Sequence, residues 1–194
     1  MTDRRSVLKA GLAGSVLPLG ALAATARAAE PLQLHRAVYD SRFAAGRAFA
    51  AEARAKGWTA VAIEGDVTDL WCRHLDPRWR QGPAPVAGVT AANSLFVLER
   101  LAWDAGMRVV FRSEYRAASG GITEYCARGA QALAPTAARL WSSGDLGRDL
   151  ARLVSAGAVG ARRLAPVDVS QACPDPGEAA KLLTAWIIAP VKRA

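Results

Sequence analysis

TAVAIEGDVTDLW, Thr59 to Trp71, changes character at its midpoint. The first half, Thr59 to Glu64, is apolar on both faces of an extended chain, as a strand inside a parallel sheet should be. Gly65 then breaks the run, and Asp66, Thr68 and Asp69 follow in a loop backed by Leu70 and Trp71. The pattern predicts a central parallel strand whose loop forms one wall of a cleft.

On the N-terminal side, Leu32 to Tyr39 reads as a first strand, Asp40 and Ser41 as helix N-caps, and Ser41 to Lys56 as an alanine-rich helix stopped by Gly57. On the C-terminal side, Leu70 to Arg80 predicts a short helix broken at Asp76-Pro77, and Gln81-Gly82-Pro83 a turn. Pro85 to Val89 is a third strand. A helix capped by Thr90 or Asn93 runs on to about Ala105, with Leu95, Phe96, Leu98, Leu101 and Ala102 on its apolar face. Met107 to Phe111 is a fourth strand that continues towards Arg116.

Strands alternating with helices argue for an α/β fold with right-handed crossovers. The expected architecture is a three-layer sandwich with a mostly parallel sheet of about four strands, plus one or two strands from the C-terminal third. Ser119-Gly120-Gly121 is a turn from which Ile122 to Cys126 returns antiparallel, and helices are expected over Pro135–Trp141 and Asp145–Ala156. Arg162 to Pro176 is irregular. Leu182 to Ala189, LLTAWIIA, reads as a strand because Thr, Trp and two Ile suit a pleated surface.

The first residues have a different organisation. Arg4-Arg5 with Lys9 form a basic start, Ala10 to Ala26 is uncharged, and Ala26-Arg27-Ala28 fits a cleavage site, the tripartite order of an export signal. The paired arginines, Val7-Leu8, Lys9 and Arg27 resemble a twin-arginine (Tat) signal. The resemblance implies a bacterial protein exported already folded by the Tat translocase to the periplasm, with residues 1–28 removed and 29–194 forming one α/β domain. The apolar run is interrupted by Gly11, Gly14, Pro18 and Gly20 and is shorter than the roughly 20 residues that span a bilayer, so no stable membrane span is expected.

The chain of 194 residues carries a net charge of +8, of which Arg4, Arg5, Lys9 and Arg27 against Asp3 supply three, leaving +5. No Lys/Arg run interleaved with aromatics occurs, so no nucleic-acid partner is expected. Cys72, Cys126 and Cys173 allow one disulfide in an oxidising compartment and leave one thiol over; Cys126 with Cys173 is the expected pair.

Open parallel sheets bind ligands at the carboxyl ends of their strands. Those ends present Asp40, Ser41 and Arg42; Glu64, Asp66, Thr68 and Asp69; Thr90 and Asn93; and Arg112, Glu114 and Arg116. Asp40, Glu64, Asp66 and Glu114 are the candidate catalytic carboxylates, and the others candidate ligand-binding groups. Close carboxylates can divide acid and base roles, and Asp40, Glu64 and Asp66 have the oxygen chemistry of a Mg²⁺ or Ca²⁺ site. Against this, Asp40 reads equally as a helix cap, Glu64 as the partner of an arginine such as Arg112, and Asp66 as a turn residue. Cys72 and His74 would belong to a copper or zinc site only if the fold brought His35 or Cys126 near them. Trp71, Trp79 and Trp103 either line a pocket or belong to the core.

The chain lacks G-x-G-x-x-G, a P-loop, G-x-S-x-G, C-x-x-C-H and H-E-x-x-H, so no cofactor is expected. Two classes of function remain. One is a small-ligand-binding or accessory subunit serving a periplasmic partner enzyme. The other is a small cofactor-free or metal-assisted hydrolase, lyase or isomerase in which Arg112 or Arg116 holds an anionic substrate.

Overall fold

A computed structural model describes residues 33–118, 121–129, 146–155 and 182–190, with backbone alone at 115–118, 121–129, 146 and 182. In chain order these form β1 (Arg36–Asp40), α1 (Ala44–Ala55), β2 (Ala60–Ile63), α2 (Thr68–Leu70), a π-helical turn (Trp71–Leu75), α3 (Asp76–Arg80), β3 (Val86–Ala91), α4 (Ala92–Asp104), β4 (Met107–Ala118), β5 (Gly121–Gly129), α5 (Leu146–Ser155) and β6 (Leu182–Pro190). The expected signal, the Pro135–Trp141 helix, the Arg162–Pro176 stretch, Cys173 and the turn residues 119–120 lie outside the described residues.

The fold is mixed α/β, and its sheet has the order β2-β1-β3-β6-β4-β5. β1 runs parallel to β2 and β3, whereas β6 is antiparallel to both β3 and β4, and β5 is antiparallel to β4. The expectation of a mostly parallel sheet is therefore corrected. β1, β2, β3 and β4 do share one direction, but the C-terminal strand enters between β3 and β4 and makes both of its pairings antiparallel. Local composition cannot encode this, because Thr, Trp and two Ile mark LLTAWIIA as a strand and not which neighbours bury it.

The same order moves β2. The Thr59–Glu64 run was expected at the centre, yet β2 is the edge strand, paired only through β1, and Ala62 is exposed. Its residues still divide between the two faces, Ala60 packing towards α1 and Val61 and Ile63 towards the opposite core. Every residue of β3 is buried instead.

Alternation along the strands divides the apolar side chains between two cores. Ala37, Ala87, Val89, Ala185 and Ile187 pack with Phe49 and Ala53 of α1 and Leu150, Leu153 and Val154 of α5. On the other face Val38, Val86, Trp186 and Ile188 pack with Leu70, Leu75, Trp79, Leu95, Leu98 and Ala102. Full burial of a side chain such as Leu95 contributes about 1.5–3 kcal/mol. Phe96, expected on the buried face of α4, is exposed, because Leu95, Leu98 and Ala102 already fill the stripe that faces the sheet.

Three local features position the site. Gly88 lies opposite Trp186 on β6, and a Cβ there would collide with the indole and stand 2.7 Å from the Val38 carbonyl, so only glycine lets this ring lie across the sheet. A register shift between Val109 and Phe111 turns Phe111 to the α5 side, which returns Arg112 and Glu114 to the α4 side. The expected break at Asp76-Pro77 does not occur: helical turns run on from Thr68 to Arg80, with Pro77 in the first turn of α3, where a missing N–H costs little.

Candidate functional site

β1 ends on Asp40, whose buried carboxylate is gripped from both oxygens by Arg42. The guanidinium donates from Nε to Oδ1 at 2.9 Å and from Nη2 to Oδ2 at 2.7 Å, and the Arg42 backbone N–H donates to Oδ1 at 3.2 Å. Asp40 is thus an anchor for Arg42 and not the expected helix cap; the N-cap of α1 is Phe43, without a side-chain cap. Hydrogen bonding to Asp40 raises the Arg42 guanidinium further above its ordinary value, and the charges of Asp40 and Glu64 add to that effect.

The loop after β2 fits under this arginine. Gly65 has φ +92°, and a Cβ built on it would stand 2.6 Å from Arg42 Nη2. The Gly65 carbonyl accepts a hydrogen bond from Ser94 Oγ at 2.7 Å, which ties the loop to the first turn of α4. The sequence marks Gly65 only as the break after an apolar strand, and Ser94 is not among the candidate residues. Beside them, Ala62, Ile63, Glu64, Asp66, Asp69 and Leu70 line an open depression of about 290 Å³.

Of the acidic residues of that depression, Asp66 and Asp69 are engaged, while Glu64 is exposed. Asp66 Oδ1 accepts from Thr68 Oγ1 at 2.7 Å and from the Thr68 backbone N–H at 2.9 Å, and these bonds, the hydroxyl first, hold its carboxyl below the usual carboxylate value. Asp69 pairs with Arg73 at 3.5 Å, an exposed i,i+4 contact worth little. Asn93 is exposed, and its Oδ1 accepts the Ser94 N–H at 2.9 Å. The N-cap of α4 is Ala91, so neither Thr90 nor Asn93 caps it.

Further polar groups cross the sheet in one row. Thr90 pairs with Thr184, and Thr184 with Glu114; Asp40 occupies the equivalent level on β1, one residue beyond the Tyr39–Val89 pair. Thr90 Oγ1 accepts from Trp186 Nε1 at 2.9 Å and donates to the Ala91 carbonyl at 3.1 Å. Glu114 is ion-paired with Arg112 two residues back on β4, with the Arg112 side chain 30% and the Glu114 side chain 15% exposed.

Asp40, Arg42, Thr68, Asp69, Glu64 and Asp66 therefore gather at the ends of β1 and β2, with Asn93 and Ser94 at the start of α4. Arg112 and Glu114 stand apart from them. They are inside β4 and not at its end, because the strand continues to Ala118. Three strand spacings separate Asp40 from Glu114, roughly 14 Å, too far to share a proton. Arg112 is paired with Glu114 and not with Glu64, and the side chain of Arg116 lies outside the described residues.

Other candidates find structural partners. Trp79 Nε1 donates to the Ala84 carbonyl at 2.9 Å, and its ring meets Trp71 edge-on at 5.9 Å, so Trp79 belongs to the core. Trp103 is exposed, with the guanidinium groups of Arg100 and Arg108 over its ring at 4.1 and 5.7 Å. His35 Nε2 lies 3.2 Å from the His74 carbonyl, which fixes that nitrogen as the N–H of the neutral ring. Cys72 is exposed and unpaired, and the Cys126–Cys173 pairing lies outside what is described. Among the described residues no three His, Cys, Asp or Glu side chains are grouped to hold a metal ion. No helix among them is long and apolar enough to cross a membrane.

Comparison of the chain with protein-family models, curated proteins and solved structures finds no match.

Proposed function

We propose that this is a periplasmic protein exported by the Tat translocase that binds a small acidic molecule, acting as a ligand-binding or accessory subunit for a periplasmic enzyme. The mature domain would be a three-layer α/β sandwich whose ligand sits at the carboxyl ends of β1, β2 and β3. The observation that carries this function is the Asp40–Arg42 pair. A buried carboxylate fixes a half-exposed guanidinium at the mouth of the loop, so the arginine is oriented before any ligand arrives and loses little side-chain freedom on binding.

The same geometry weighs against general acid–base work. Asp40 is held by Arg42, Asp66 by Thr68 and Glu114 by Arg112, so these carboxylates are committed to shape. The Thr68 hydroxyl holds the Asp66 carboxyl below its usual value, which makes it a poor base.

The test is a thermal-shift screen of the purified protein against small mono- and dicarboxylic acids, amines and neutral sugars. Acids are expected to raise Tm by mass action, and Arg42→Gln to weaken that response. A rise with amines or sugars and none with acids would refute this function.

A further inference from the structure

We propose that Arg112 and Thr184 form a seat for an oxyanion, the carboxylate or phosphate group of a ligand, on the α4 side of the sheet; this rests on the protein's being a binder of acidic molecules. Thr184 is fully buried in β6, and its hydroxyl oxygen has no hydrogen-bond partner. Its two neighbours in the row are already occupied. Thr90 Oγ1 donates to Ala91 and accepts from Trp186, and Glu114 is held by Arg112. A buried hydroxyl without a partner is destabilising relative to a methyl group of the same shape, so a threonine here is a cost that a bound acceptor would relieve.

Arg112 carries the second unmade bond. Its Nε is buried without a partner, although Nη2 engages Glu114. In the register Arg112 faces Trp186 while Glu114 faces Thr184, which makes Arg112 and Thr184 diagonal neighbours on one face. Such pairs have Cβ atoms roughly 7–8 Å apart, a gap that an arginine side chain and one oxyanion together close.

The chemistry selects the ligand. A guanidinium N–H can only donate and a threonine hydroxyl donates readily, so the pair is completed by an acceptor-rich anion, whereas a cation leaves Arg112 Nε unsatisfied. Glu114 fixes the guanidinium as Asp40 fixes Arg42. Arg112 retains 30% of its side-chain exposure, and Thr184 is fully buried beside it on the same face. The register shift after Val109 is what puts Arg112 on this face.

The experiment compares wild type, Thr184→Val, Thr184→Ser and Arg112→Gln by thermal shift in inorganic phosphate and in acetate, against chloride at equal ionic strength. Wild type and Thr184→Ser are expected to rise in Tm with one or both oxyanions. Thr184→Val should start higher than wild type without ligand, by a few degrees, and bind at least tenfold more weakly. Arg112→Gln should also lose the response, which keeps the test decisive if the valine variant does not fold. A response to phosphate alone assigns the seat to a phosphate group, and to acetate alone to a carboxylate. Equal responses in wild type and Thr184→Val, or a lower starting Tm in Thr184→Val, overturn the seat while leaving the binding of acids intact. Absence of any response in wild type also overturns the seat, and the screen of larger acids then decides separately whether the protein binds them.

Discussion

Arg42 holds Asp40 by both carboxylate oxygens, at 2.9 and 2.7 Å, with the carboxylate fully buried and half of the arginine side chain in solvent. The two partners are therefore not equivalent. Removing the arginine strands a buried charge; removing the charge strands an arginine that water can solvate.

That asymmetry predicts unequal costs. Arg42→Ala is expected to destabilise the fold more than Asp40→Asn does, since an uncompensated buried carboxylate remains. Asp40→Asn keeps an acceptor for the backbone N–H and should cost about 1–2 kcal/mol. Urea denaturation of both variants measures the difference. Equal losses of under about 0.5 kcal/mol would mean the pair behaves as an ordinary surface contact.

Gly65 tests the fit of the loop under that arginine. Gly57 and Gly65 both have positive φ, +77° and +92°, but a Cβ on Gly57 meets nothing within 4 Å, whereas one on Gly65 meets Arg42. Gly57→Ala should cost about 1–2 kcal/mol from the backbone alone. Gly65→Ala should cost more and weaken acid binding. Equal costs, with binding unchanged, would show that Arg42 moves aside freely.

Two groups give stability a pH dependence of known sign. Burial, the largest influence on His35, lowers its pKa from 6.5, so its contribution is fully present above pH 6.5 and is lost as pH falls through the lower folded value. Asp66, whose pKa is lowered from 3.8 chiefly by the Thr68 hydroxyl, contributes above pH 3.8 and loses that contribution as pH falls through its folded value. Tm measured from about pH 8 to about pH 5 should fall at the acid end and flatten in His35→Gln. Thr68→Val should bring the Asp66 carboxyl titration, followed by NMR, back towards 3.8. An unchanged Tm profile in His35→Gln would remove His35 from the account.

Much of the site was legible in the sequence because its residues follow strand ends that local pattern marks well. Asp40 at the end of VYD and Glu64 to Asp69 after VAI depend on a strand stopping where it appears to stop, whereas β3 runs on from the expected end at Val89 to Ala91. What each residue does was less legible, since a capping aspartate and an arginine anchor look alike until Arg42 is seen folding back. The sheet order was not legible. LLTAWIIA reads as a strand, but its place between β3 and β4 is a tertiary choice made across most of the chain. Arg112 and Glu114 were found among the polar residues after VVF, but the register shift that decides their face leaves no periodic mark. Thr184, inside an apolar strand, reads in the sequence only as a strand former, and the three-dimensional structure is needed to reveal that its hydroxyl lacks a partner.

Native mass spectrometry of the protein, purified gently from its own host, tests the central claim most directly. The expected spectrum shows the mass of residues 29–194 plus an acidic small molecule or a partner subunit, with the excess disappearing on denaturation and reduced in Arg42→Gln. A bare monomer at that mass, unchanged by the variant, would contradict a ligand held at the carboxyl ends of the strands; a chain retaining residues 1–28 would contradict export with cleavage.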